Sequence, residues 1–194
     1  MDANKFCNVM KEKIKEHYRI PPEESLLSKI FAFFGKSRYD LDGIIEDMNN
    51  RYLTSLMESL YDKGCLECVE EEKKPWPEIS IQYYKLKKDL DCVKELKPKS
   101  QISIDFSELA SKNPKDVVYA VWDLENEEKI YLLALMTKAY LETIKEIKSE
   151  RWLRKHKDKF NWSFRTSTDS GKCVSLHSDL SYDELMSVLD TIIS

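Results

Sequence analysis

The stretch DLDGIIEDMNNRYLTSLMESLYDKGCLECVEEEKKPWPEISIQYYKL, residues 40–86, decides how the chain is read. Asp40 to Met48 forms a short helical run led by an acid, and Asn49 and Asn50 interrupt it as turn residues. A second run carries Tyr52, Leu53, Leu56, Met57 and Leu60 at three- and four-residue spacings, one apolar face of a 3.6-residue period. It stops at Asp62-Lys63-Gly64, where glycine lets a helix end through a left-handed residue. Two strand-like pieces come next, Cys65 to Val69 and Ile79 to Leu86, around a charged, proline-bearing insert from Glu70 to Glu78.

Upstream, residues 2 to 18 read as an amphipathic helix with Phe6, Val9, Met10, Ile14 and Tyr18 on one side and His17 at its rim. Pro21-Pro22-Glu23-Glu24 opens the next helix, Glu23 to Phe34, since proline suits a first turn and acids its positive end. That helix presents Leu26, Leu27, Ile30, Phe31 and Phe34 and leaves at Gly35. The resulting order of helices, glycine, strand, polar loop and strand resembles the winged helix-turn-helix family over about residues 23–95. The residues that carry the likeness are the helix Leu53 to Tyr61, the break Lys63-Gly64, and the strand Ile81-Gln82-Tyr83-Tyr84-Lys85-Leu86.

The resemblance implies that Glu23–Phe34, 40–48 and 51–61 are the three helices, that 65–86 is the wing, and that double-stranded DNA is the partner. In such a module the third helix enters the major groove by its N-terminal residues while the wing reaches phosphates. Asn49, Asn50, Arg51, Thr54, Ser55 and Glu58 then face outward. Asparagine reads adenine and arginine reads guanine bidentately, so Asn50, Arg51, Thr54 and Ser55 are the expected contacts, with Lys73 and Lys74 from the wing. Glu70, Glu71 and Glu72 precede those lysines, and residues 1–98 hold 17 Lys and Arg against 19 Asp and Glu. Phosphate binding therefore needs the lysines gathered on one face.

A lysine-rich segment, Lys85 to Lys99, joins the halves. Beyond it lie β-like alternation at Ile102, Ile104 and Phe106 and a short helix from Ser107 to Lys112 that ends at Asn113-Pro114. Val117 to Leu124 and Ile130 to Met136, nearly continuous apolar runs about the polar Glu125–Lys129, read as a buried hairpin. A helix over about Lys138 to His156 comes next, then a second hairpin of Asn161–Thr166 with Lys172–His177. A last helix is marked by the capping box of Ser181 and Glu184, with Leu185, Val188, Leu189, Ile192 and Ile193 as its stripe. The expected fold class is α+β: a winged helix-turn-helix with an extra first helix (1–95), then a small α/β domain with a mixed or antiparallel sheet (96–194).

The most basic run, Lys145 to Lys159, holds seven basic residues, three acids and Trp152. Lys148, Arg151 and Lys155 gather on one helical face and add to the expected phosphate contacts. The whole chain of 194 residues has a formal net charge of −4 and four glycines, too few for a Rossmann fingerprint or P-loop, and neither motif occurs. No apolar run approaches about 18 residues, so no membrane span is expected, and the start lacks a signal-peptide core. Five cysteines, an odd number, suggest reduced thiols in a cytoplasmic or nucleoid-associated protein.

Chemistry beyond binding rests on two patterns. Glu95-Leu96-Lys97, preceded by Glu78, loosely resembles the restriction-endonuclease-like superfamily, where carboxylates hold Mg²⁺ and a lysine assists water. Under that alternative Glu95, Lys97 and Asp105, or Asp123, are catalytic and Mg²⁺ is the cofactor. Cys65-x-x-Cys68 with Cys92 has metal-ligand spacing but lacks a fourth ligand, so no metal site is expected. His177 ends an apolar strand without an evident Cys or Ser partner. The leading expectation is a DNA-binding regulatory protein without a cofactor and with a non-catalytic second domain. The alternatives are a Mg²⁺-dependent endonuclease and a protein-interaction adaptor, with a homodimer or protein partner.

Overall fold

The computed structural model describes residues 1–18, 47–75, 78–87, 91–97, 104–147, 162–167, 173–178 and 180–194. The helix expected at Glu23–Phe34 and most of that at 40–48 lie outside these residues. Helix α1 spans Ala3–His17 and is capped by Asp2, whose carboxylate accepts the Lys5 N–H at 2.8 Å. Its apolar side chains Phe6, Cys7, Met10 and Ile14 are buried. They pack toward the longest helix described, α6, Asn126–Ile147.

Asn49 and Asn50 do not form a turn. The chain is helical without a break from Asp47 to Asp62: Asp47 and Met48, a π-helical segment Asn49–Leu53, then α2, Thr54–Asp62. Burial overrides the weak helix preference of asparagine here, since Met48, Tyr52, Leu53, Leu56, Met57 and Leu60 are all fully buried. Helix α2 ends as the sequence implies. Gly64 takes φ 70°, its N–H reaches the Tyr61 carbonyl at 2.8 Å, and the Cys65 N–H reaches Leu60 at 2.9 Å. That pair of bonds is the Schellman closure.

The chain turns directly into strands β1, Leu66–Pro75, and β2, Glu78–Leu86. The charged insert is thus mostly strand, not loop. Charges on an edge strand block pairing with other chains, and β1 is exposed from Glu67 onward. A short helix α3, Asp91–Glu95, comes after the hairpin, and the Cys65 and Cys92 Cα atoms come within 5.7 Å in a disulfide. The expectation of five reduced thiols is corrected: the fold brings this pair into bridging range, while Cys7, Cys68 and Cys173 are free.

The hairpin expected at Val117–Leu124 and Ile130–Met136 is helical instead. Helix α4 spans Phe106–Ser111, α5 spans Pro114–Ala120, and a 3₁₀ turn covers Val121–Asp123 before α6. Helix α4 ends just before Asn113-Pro114, as expected, and the same pair also opens α5, with the Asn113 side chain accepting the Lys115 N–H at 3.3 Å. An unbroken apolar run fits a helix buried all round as well as a strand buried on both faces. Ile130 through Thr137 are all buried within α6. That helix starts earlier than the expected Lys138–His156, and residues 148–156 lie outside those described.

The second hairpin is present as β3, Trp162–Ser167, and β4, Cys173–Ser178. The capping box at Ser181 starts the last helix, α7, Tyr182–Ile193. One mixed sheet results, in the order β1-β2-β4-β3, with β2 and β4 parallel and the outer pairs antiparallel. The fold class is therefore α+β. The 1–95 and 96–194 segments share that sheet and one hydrophobic core, running from Phe6 and Met10 through Leu56 to Leu141 and Leu189. Among the described residues no helix is long and apolar enough to cross a membrane.

Candidate nucleic-acid interface

The expected contacts depend on which side of the helix 47–62 faces solvent. Leu53, Leu56, Met57 and Leu60 turn inward, and α2 packs against α6 and β3. Asn50 is exposed, and Arg51, Thr54 and Glu58 are half-buried, so these form the outer stripe. Ser55 does not belong to it. At 7 % exposure it lies on the inner flank, and the Ser59 hydroxyl donates to its carbonyl at 2.9 Å. Ser55 is thus buried and stands outside the exposed positions that the expected DNA contact requires.

Arg51 is not an isolated cation. Its Nε donates to Asp47 Oδ1 at 2.6 Å, one turn away. The same carboxylate accepts the Tyr18 hydroxyl at 2.5 Å, and Lys115 Nζ stands 3.7 Å from it. Burial alone would raise the Asp47 pKa, but the bonds from Tyr18 and Arg51 hold it below the usual carboxylate value. Tyr18 also shares a hydrogen bond with the Tyr140 hydroxyl. Since the single Tyr18 proton goes to Asp47, Tyr140 is the donor in that bond. Tyr52 packs on Tyr140 at 4.4 Å between ring centroids, and its buried hydroxyl has no hydrogen-bond partner among the described residues. This tyrosine row binds α1, the helix 47–62 and α6 together. It was not read from the sequence, because its members lie up to 122 positions apart.

Lys73 and Lys74 are exposed near the end of β1, where Lys73 stands 3.8 Å from Glu71. Lys148, Arg151 and Lys155 lie outside the described residues. Next to the stripe, Tyr119 and Trp122 are 63 % and 45 % exposed, and Lys129 Nζ sits 3.7 Å over the Trp122 ring. Reading Val117–Leu124 as a buried strand concealed both aromatics. Their spacing of three, which suits one side of a helix, was the available signal.

The arrangement expected for a nuclease needs carboxylates on neighbouring strands, and residues 104–147 contain helices where those strands were expected. Glu95 and Lys97 are exposed at the end of α3 and in the turn after it. The Asp105 carboxylate caps α4, accepting the Ser107 and Glu108 N–H groups at 2.8 and 3.1 Å. Asp123 is exposed in the 3₁₀ turn. Among the described residues no three His, Cys, Asp or Glu side chains gather to hold a metal ion. Cys65 is bound to Cys92, so the Cys65-x-x-Cys68 pair does not offer two thiolates. His177 stacks on Tyr83 at 5.7 Å. Comparisons with protein-family models, with curated proteins and with solved structures find no match to this chain.

Proposed function

We propose that this chain binds nucleic acid without cutting it, as a divergent winged helix acting on double-stranded DNA in a regulatory role. The observation that carries the reading is the passage from the helix 47–62 through Gly64 into a long two-stranded hairpin, with Asn50, Arg51 and Thr54 on the outer side. Asp47 takes only the Nε of Arg51 among the hydrogen bonds described, which leaves the terminal nitrogens to read a guanine edge. Lys73 and Lys74 at the far end of the hairpin supply phosphate contacts. The buried inner flank and the acidic β1 confine contact to this stripe and the hairpin tip.

Fluorescence anisotropy of the full chain with labelled duplex DNA across a salt series tests this. Arg51→Glu is expected to weaken binding at least about tenfold, and Lys73→Glu with Lys74→Glu to lower the salt slope by about two. Asn50→Ala serves as a second variant that leaves the Asp47 pair intact. No binding at low salt, or binding indifferent to all of these, overturns the proposal.

A second reading, a protein-docking module, draws on the exposure of Tyr119 and Trp122, since tyrosine and tryptophan dominate interface energetics. Under it, Tyr119→Ser with Trp122→Ser converts a homodimer to monomer in sedimentation velocity and leaves duplex affinity unchanged. A wild-type chain that is monomeric throughout removes the homodimer form of this reading.

A further inference from the structure

A groove of about 980 Å³ runs between β1–β2 and α7. Its floor includes the buried side chains of Leu180 and Val188. Carboxylates stand on both walls, Glu70 and Glu72 from β1 and Glu184 from the first turn of α7. Sheet register explains the first pair. Glu70 lies opposite Tyr83 and Glu72 opposite Ile81, so alternation puts both on the face that carries Tyr83 and Lys85.

Two further features make this more than a charged edge. The register shift between Cys68 and Glu70 is a bulge, and it sets Val69, 49 % exposed, on the groove wall. An aliphatic side chain left in water beside an apolar floor is surface that a partner gains by covering. Among the described residues that line it, Lys85 is the one cation. Hydrogen bonding to Ser181, with the charge of Lys85 behind it, keeps the Glu184 pKa low, so that wall carries its charge. Glu70 and Glu72 make no ion pair among the described residues. Three carboxylates against one lysine leave the described lining at net −2.

We propose that this groove docks a basic amphipathic segment of a partner protein, whose lysines or arginines meet Glu70, Glu72 and Glu184 while an aliphatic side chain between them covers Val69 and the floor. The volume is at the upper end of the roughly 300–1,000 Å³ of ligand clefts, and apolar floor with charged walls is the arrangement that accepts a short segment of chain. The sign of the walls rejects phosphate backbones and acidic surfaces, since like charges brought together are penalised.

The test uses the full chain and a fluorescein-labelled synthetic peptide in which lysines flank a central pair of leucines. Saturable binding is expected, weakened at least about tenfold by Glu70→Lys with Glu72→Lys. Ser187→Trp, which fills the groove without altering its charge, is expected to weaken it as well. Both glutamates are exposed on an edge strand, so their reversal leaves the fold in place, which circular dichroism verifies. Absence of binding, binding that survives both variants, or equal binding of a leucine-free lysine peptide overturns the proposal. The groove shares no residue with the stripe Asn50, Arg51 and Thr54, so the two readings fail separately.

Discussion

Tyr18 is the residue through which α1 holds the helix 47–62, because its hydroxyl serves Asp47 and Tyr140 at once. Hydrogen bonds to charged groups contribute about 1.5–3 kcal/mol, so Tyr18→Phe should lower urea-unfolding stability by that amount. Tyr52→Phe should be near neutral, because its hydroxyl is buried without a partner among the described residues. A large loss in Tyr52→Phe would contradict that picture of the row. His17 gives a pH signature. Burial first, then the charge of Lys115, lowers its pKa, with Asp47 opposing and Arg51 assisting. The unfolded chain therefore takes up this proton at higher pH than the folded one. Stability from this group is full above an unfolded value of about 6.5 and falls as the pH drops through it toward the folded value. His17→Gln should flatten the dependence of Tm on pH between about 7.5 and 5.5, and an unchanged slope would assign it to other groups. At this scale the sequence was legible where periodicity decides burial, as for Leu56 and Leu60, and misleading at Ser55, which lies three positions after Tyr52 and so at the edge of the same buried face.

Elements bounded by side-chain caps were readable in advance, as Ser181 and Glu184 show for α7 and Gly64 for the end of α2. Val117 to Met136 was not, since an all-apolar run carries no period and the decision falls to the elements that pack on it. Gly64 allows a clean measurement. A Cβ there would meet no more than an ordinary contact, Lys87 Nζ at 4.0 Å at the end of a flexible side chain, so only the backbone resists substitution. Gly64→Ala should cost about 1–2 kcal/mol, read as a shift in denaturation midpoint. A loss several times larger would mean that the hairpin base had been displaced too. The Cys65–Cys92 bridge closes 27 positions of chain and ties α3 to the start of the hairpin. Loop-closure entropy assigns such a bridge about 3.5 kcal/mol, so Cys92→Ser should lose close to that, with wild type under reducing conditions behaving alike. Equal stability of oxidised and reduced protein would refute the assignment. An odd cysteine count pointed away from this pair because it says nothing about which thiols the fold brings together.

For the molecule as a whole, the expected boundary at residue 95 divides a shared core. Helices α1 and α2 bury their apolar faces on α6, and β2 finds its second neighbour in β4. Neither 1–95 nor 96–194 made alone should fold. Each is expected to give a collapsed, poorly dispersed amide NMR spectrum, while the full chain unfolds in one transition by fluorescence and circular dichroism. A well-dispersed spectrum from 1–95 would restore two independent units. The α+β class was legible because both hairpins and the end helices carry local signals. The β2–β4 pairing was not, as parallel neighbours leave no mark in the sequence between them. That pairing also governs how the chain is made. Ser178 comes 94 positions after its partner Tyr84, so at about 5–20 residues per second a ribosome delivers β4 roughly 5–20 s after β2. Through that interval the nascent polypeptide carries an open strand edge, the kind of exposed surface that invites aggregation until its partner strand has been made.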